Sequence, residues 1–224
     1  MIIERLIVGP LEVNCYIVAD EDTKEAVVFD PGGDVDSIIE ILDNNHLKVK
    51  HIINTHTHFD HVGGNRRLQN ATGAPILTHP DEAFALTWAK ERAILFSSTS
   101  ENSEASGYVC EGDTIEVGSI RIRSLDLRGH SMAGLGFLFE GDLDWNGERK
   151  WRRVLICGDA LFDGSIGRTD FAGGSEESLV KNVRTKIFTL PDDTILLYGH
   201  GNPSTVGQEK KVNPYYSPSA EPSK

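Results

Sequence analysis

The segment Thr55-His56-Thr57-His58-Phe59-Asp60-His61-Val62-Gly63-Gly64 carries more chemical information than any other part of the chain. It follows a short apolar run at residues 51–54 and precedes a stretch with helical spacing. In extended chain, side chains alternate with period two, so His56, His58 and Asp60 are expected to project on one side. His61 then turns inward as the helix begins. Three of the protein's eight histidines fall in this segment. Such crowding of imidazole and carboxylate groups is costly unless something cationic satisfies it. A divalent metal does so, and nitrogen and oxygen donors suit zinc, iron or manganese.

Three further runs each end in a candidate ligand. Residues 121–127 precede His130, residues 154–157 precede Asp159, and residues 195–198 precede His200. Gly129, Gly158, Gly199 and Gly201 flank these positions and let backbone approach closely. Seven donors (His56, His58, Asp60, His61, His130, Asp159 and His200) are too many for one tetrahedral ion and suit two. Asp159, with two oxygens to offer, is the natural bridge.

Outside these positions the chain is ordinary. Its 224 residues amount to about one and a half typical domains, and a single domain over residues 1–213 is the simpler division. The Pro- and Ser-rich stretch at 214–224 is expected to be a disordered tail. The charge sum, 22 − 34 = −12, argues against nucleic-acid and anionic-membrane partners and leaves a small molecule as the expected substrate. No apolar run approaches the ~18 residues of a membrane span, and the first residues lack a signal-peptide pattern. A cytoplasmic protein is expected. Cys15, Cys110 and Cys157 are widely spaced without any C-x-x-C, so they are expected as buried thiols rather than a disulfide framework or zinc knuckle.

Strands are predicted at residues 2–8, 15–18, 26–29, 51–54, 76–78, 120–125, 135–139, 154–157 and 195–198. Asn146-Gly147 supplies a hairpin turn. Helices are predicted at 35–43, 61–71, 81–96 behind Pro80, and 178–188, with a polar loop at 97–106. This mixture gives an α/β (α+β) protein of layered sheets flanked by helices. Rival catalytic devices (a G-x-S-x-G elbow, a phosphate loop, G-x-G-x-x-G, H-E-x-x-H) are missing.

The full H-x-H-x-D-H signature at His56, His58, Asp60 and His61, with His130, Asp159 and His200 downstream, resembles the metallo-β-lactamase-fold hydrolases. Within them the chain is most similar to the glyoxalase II (hydroxyacylglutathione hydrolase) branch. Gly9 to Tyr16, Val28 to Gly33, Gly164 to Phe171 and Gly199 to Gly207 carry that likeness, which runs from about residue 7 to 214. The resemblance implies a four-layer αββα sandwich with metals at the sheet edge. It implies that His56, His58 and His130 hold one ion, that Asp60, His61 and His200 hold the other, and that Asp159 bridges them. Three departures stand out. The His130 loop reads Leu127-Arg128-Gly129-His130-Ser131-Met132-Ala133-Gly134 rather than Thr-Pro-Gly-His. Residues 141–152 form an extended hairpin that is expected to overhang the site. The helical domain of larger glyoxalase II enzymes is not expected here.

The implied chemistry is hydrolysis of a glutathione thioester such as S-lactoylglutathione, or a related small ester, by a metal-bound hydroxide. Zinc is the expected metal, with iron or manganese as substitutes. Asp60 is the catalytic candidate, both ligand and proton acceptor. Alternatives are a mononuclear-iron persulfide dioxygenase of the same fold, a nuclease, and a non-catalytic metal-binding module. Asp30 is a candidate to hold a ligand imidazole or to shape its own turn. Arg168 is a candidate to meet a substrate carboxylate, or to pair with Asp163 or Asp170 and fix its loop. His46, His51 and His79 match no ligand position, and Trp88, Trp145 and Trp151 are expected in packing.

Overall fold

A computed structural model describes residues 1–216. Of the tail expected at 214–224, residues 217–224 lie outside the described residues. Residues 214–216 instead form a turn, and Tyr216 packs edge-on against Phe188 with ring centroids 5.2 Å apart. That aromatic contact orders the chain beyond the expected boundary.

The first half builds one sheet with helices on its outer face. In chain order it contains β1 (Ile2–Val8), β2 (Val13–Ala19), β3 (Glu25–Phe29), α1 (Val35–Asn44), β4 (Lys48–Ile53), α2 (Phe59–Val62), α3 (Asn65–Thr72), β5 (Ile76–Thr78), α4 (Ala83–Leu86), α5 (Ala89–Leu95) and β6 (Gly107–Tyr108). The second half contains β7 (Thr114–Val117), β8 (Ile120–Asp126), β9 (Leu135–Trp145), β10 (Glu148–Gly158), the small hairpin β11 (Leu161–Phe162) and β12 (Ser165–Ile166), α6 (Glu176–Asn182), β13 (Ile195–Tyr198), β14 (Ser204–Thr205) and α7 (Val206–Val212). The six-stranded sheets have orders β1-β2-β3-β4-β5-β6 and β14-β13-β10-β9-β8-β7.

Alternation along the strands assigns the layers. Tyr16 and Val18 of β2 face Phe137, Phe139 and Ile156 of the other sheet, while Cys15 and Ile17 face Ile38, Leu42 and Leu68 of the helices. Leu155 and Cys157 of β10 turn the other way, against Leu179 of α6 and Val206 of α7. Helices thus cover both outer faces, giving the four-layer αββα sandwich. Each fully buried Ile or Leu in these layers contributes about 1.5–3 kcal/mol. No helix among the described residues is long and apolar enough to cross a membrane.

Several expectations need correction. The helix expected at 61–71 is two helices, because Gly63 and Gly64 bring the chain onto the Pro31–Gly32 loop. The Gly64 amide donates to Pro31 O at 2.7 Å, and a Cβ at Gly63 or Gly64 would meet backbone oxygen. The helix expected at 81–96 is also broken, into a 3₁₀ turn at Pro80–Glu82, then α4 and α5. The helix expected at 178–188 begins at Glu176, capped by the Ser175 hydroxyl, and ends in a π turn over Val183–Ile187. β6, β7, β11, β12, β14 and α7 were not predicted; β7 and α7 have only short apolar patterns. Cys110 is exposed, since it sits in the turn where its amide donates to Asp113 Oδ2. The 141–152 hairpin does not overhang the ligands. β9 leaves the ligand edge at Leu135, whose amide donates to Thr55 O, and runs away from it to a tip at Asn146-Gly147.

Candidate metal centre

Five of the seven candidate ligands lie just beyond the C-terminal ends of strands, and Asp60 and His61 lie on α2. β4 leads to His56 and His58, β8 to His130, β10 to Asp159 and β13 to His200. The chain after β4 keeps its period of two for four residues. Thr55 points backward, where its amide and hydroxyl donate to the two oxygens of Asp30 at 2.8 and 2.7 Å. Thr57 also points backward, and its amide and hydroxyl donate to Glu82 Oε2 at 3.2 and 2.5 Å. His56 and His58 therefore project into the cleft. The alternation stops there: His58 is the N-cap of α2, so Asp60 comes from a helix rather than from extended chain as expected.

The donors gather in two groups. In the first, His58 Nδ1 lies 3.1 Å from His56 Nε2 and 3.0 Å from His130 Nε2. Donors at ~2.0–2.1 Å from one tetrahedral ion stand about 3.3 Å apart, so this spacing suits a shared cation. In the second, Asp60 Oδ2 lies 3.7 Å from His61 Nε2 and 3.5 Å from His200 Nε2. Asp159 stands between the groups. Its Oδ1 is 3.5 Å from His61 Nε2, and its Oδ2 is 3.5 Å from His130 Nε2 and 3.7 Å from His200 Nε2. A Cβ on Gly199 would overlap Asp159 Oδ1, so glycine is what lets β13 end against this carboxylate.

Partners behind the rings fix two tautomers. His61 Nδ1 donates to Asp30 Oδ2 at 3.0 Å, and His130 Nδ1 donates to the Arg168 carbonyl at 2.8 Å. Neither acceptor can donate, so each ring turns an Nε2 into the cleft. His61 Nε2 and Asp159 Oδ1 are buried there without any hydrogen-bond partner among the described residues. Orphaned polar atoms of this kind are costly in a folded protein, and a cation is what both lack.

The protein's own electrostatics divide the ligands. Burial and the neighbouring His61, His58 and His130 push His56 well below the usual imidazole range. Burial, then His130 and His61, bring His58 down to about 4. Burial raises Asp159, but the His61, His200 and His130 charges outweigh it and hold the carboxyl low. Asp60 is held low in the same way, by His61 and by the His200 hydrogen bond against burial. Burial lowers His61 and His200, but the surrounding carboxylates raise both. Neutral imidazoles at His56 and His58 beside ionised carboxylates are the protonation states that metal coordination needs.

The ligands open into a cleft of about 320 Å³. Arg168 reaches it while pairing bidentately with Asp170 at 2.7 Å, its guanidinium 4.0 Å from the centre of the Phe171 ring. His46, His51 and His79 join neither ligand group. None of the three tryptophans lines this cleft, and Trp88 and Trp151 are exposed. Sequence reasoning missed Glu82, Arg92, Phe96 and Phe171. Glu82 acts on residues 25 and 51 positions away, and nothing in its local sequence signals it.

The profile of the metallo-beta-lactamase superfamily matches residues 8–142. The chain belongs to the metallo-beta-lactamase superfamily. The match ends before Asp159 and His200, which the metallo-beta-lactamase fold brings to the same edge. The hydroxyacylglutathione hydrolase GloC of Haemophilus influenzae is 33% identical over 218 residues, covering 96% of this chain and 98% of that protein. Among solved structures, the BLEG-1 B3 metallo-beta-lactamase superposes with a TM-score of 0.83 at 30% identity, covering 96% of this chain and 100% of that one. ETHE1 from Myxococcus xanthus superposes with a TM-score of 0.77 at 27% identity, covering 96% and 84%. Superfamily membership and the His/Asp cluster together make this a metal-dependent hydrolase.

Proposed function

We propose that the protein is a dinuclear hydrolase of glutathione thioesters, S-lactoylglutathione or a close relative. The observation that carries it is the pair of ligand groups with Asp159 between them, its Oδ1 beside His61 and its Oδ2 between His130 and His200. His56, His58 and His130 would hold one ion, and Asp60, His61 and His200 the other, with zinc the metal best suited to this donor set. Bound divalent ions supply Lewis acidity there, lowering the pKa of water toward neutrality and polarising a carbonyl.

The chain's own residues do the rest. Asp60, held as a carboxylate and only partly buried, is placed to orient water and accept its proton. Asp30 anchors His61, and Glu82 anchors the Thr57 end of the loop, so the donors need not reorganise. The cleft lining adds two arginines, which stay charged, and no lysine, tyrosine or cysteine to protonate a leaving group. A thiolate, whose thiol has a pKa of about 8–9, leaves without such help. Hydroxyacylglutathione hydrolase activity in the GloC relative supports the same substrate class. Acidic overall charge supports a small-molecule substrate rather than nucleic acid.

A second reading, a mononuclear-iron persulfide dioxygenase, draws on the Gly167-Arg168-Thr169-Asp170-Phe171 segment. Ser165-Ile166 before it, where Cys-Gly is usual in that branch, and the Asp60–His61–His200 group both favour the hydrolase. A side-by-side assay on S-lactoylglutathione, glutathione persulfide, a lactone and a β-lactam separates them. Fastest turnover of the thioester, abolished in a folded Asp60→Ala variant, is expected. Oxygen uptake on the persulfide without thioester hydrolysis would overturn the proposal.

A further inference from the structure

Beyond the ligands, the cleft has an asymmetric wall. Phe96, just past the end of α5, stacks on Phe59 with ring centroids 5.2 Å apart and planes 19° from parallel. It also meets Phe171 edge-on at 6.4 Å, and Phe171 in turn meets the His58 ring at 5.3 Å. An apolar face thus runs from a candidate ligand outward to solvent, and Phe96 remains 57% exposed. Free aromatic surface of this size beside polar chemistry is what a ligand covers.

Two guanidiniums line the same cleft, and their circumstances differ. Arg168 is answered by the Asp170 carboxylate. Arg92, one helical turn before Phe96, is half-buried, and its side chain has no hydrogen bond or ion pair with any described residue. Nearby Glu91 is engaged by Asn102 instead. Arg66 and Arg123 also lack a side-chain partner among the described residues, but neither lines the cleft; in a chain of net charge −12, an unanswered cation inside it marks a place for an anion from outside.

We propose that Arg92 is the anion-recognition residue of this cleft. It receives a carboxylate of a peptide-thiol conjugate while the Phe59–Phe96–Phe171 wall takes the apolar part beside the sulfur. The i, i+4 spacing of Arg92 and Phe96 presents both to one ligand. The choice of a peptide thiol rests on the thioester reading above; the preference for an anion rests on Arg92 alone.

The test uses the metal-loaded protein and a pair without thioester or ester bonds, S-hexylglutathione and its diamide, in which both carboxylates are carboxamides, titrated calorimetrically. Wild-type protein is expected to bind the acid at least ~10-fold more tightly than the diamide, the size of one charge-assisted contact. Arg92→Ala should reduce that preference to within about twofold while circular dichroism stays unchanged. Arg92→Lys should restore part of it, since an ammonium keeps the charge without the planar fork. Added salt should weaken the acid and spare the diamide. An Arg92→Ala protein that keeps the preference, or a wild type that binds both forms alike or neither, overturns the assignment. Failure of the thioester reading shows separately, as a wild type that keeps its Arg92-dependent preference for the acid yet does not turn over S-lactoylglutathione.

Discussion

Asp30 and Glu82 are both buried carboxylates that grip the ligand segment, and they grip different things. Asp30 accepts from Thr55 and also from the His61 ring, so it touches a candidate ligand directly. Glu82 accepts from Thr57 on one side and from the Ala133 amide at 2.9 Å on the other, tying the His56–His58 loop to the His130 loop without touching a ring. One carboxylate therefore sets both the position and the basicity of a donor. The other sets only the distance between two loops. A shared residue type and shared burial do not make a shared role.

Removing Asp30 should break the comparison most severely. Asp30→Ala strands the Thr55 amide and hydroxyl and the His61 Nδ1–H in a buried site. Denaturant unfolding of metal-free protein should show a loss of about 3–5 kcal/mol. Asp30→Asn keeps the shape and one oxygen but removes the charge facing His61. Metal affinity, read by competition with a chelating dye, should fall roughly 10–100-fold, with a smaller loss of stability than in the alanine variant.

Glu82→Gln should do the reverse. Losing one acceptor among its buried partners should cost about 1–3 kcal/mol of stability in the same unfolding experiment, with metal affinity close to wild type. Metal affinity falling as far as in Asp30→Asn would erase the distinction between the two carboxylates. The pH dependence sharpens it further. Burial raises the Glu82 carboxyl, but hydrogen bonds from Thr57, Ser131 and Ala133 outweigh burial and hold it below the ordinary value. The unfolded chain therefore binds this proton more tightly than the folded one. Glu82's contribution is full above about pH 4.3 and is lost as pH falls through its lower folded value. The stability gap between wild type and Glu82→Gln should be flat above about pH 4.3 and shrink below it.

The two carboxylates also mark how much was legible in the sequence. The His56, His58, Asp60 and His61 cluster announced itself because its donors are neighbours in the chain. His130, Asp159 and His200 were legible because each follows an apolar run beside glycine, and the fold brings all seven to one sheet edge. Asp30 stood out for the same reason, after β3 and before Pro31-Gly32-Gly33. Glu82 did not, because its partners Thr57 and Ala133 lie 25 and 51 positions away and nothing local records the contact. Arg92 was hidden by the break between α4 and α5, which turns it toward the cleft together with Phe96. Period-two reasoning held for His56 and His58 but failed at Asp60, because a helix begins before the alternation reaches it. Local patterns name the groups that do chemistry; the groups that position them are set by tertiary contact.

The most direct test is metal stoichiometry. Protein saturated with zinc, freed of loosely bound metal by gel filtration, is analysed by inductively coupled plasma mass spectrometry against amino-acid analysis of the same sample. Two ligand groups sharing Asp159 predict close to two ions per chain, falling to about one or fewer in a folded Asp159→Ala variant. A single ion per chain in the saturated wild-type protein would contradict the dinuclear assignment.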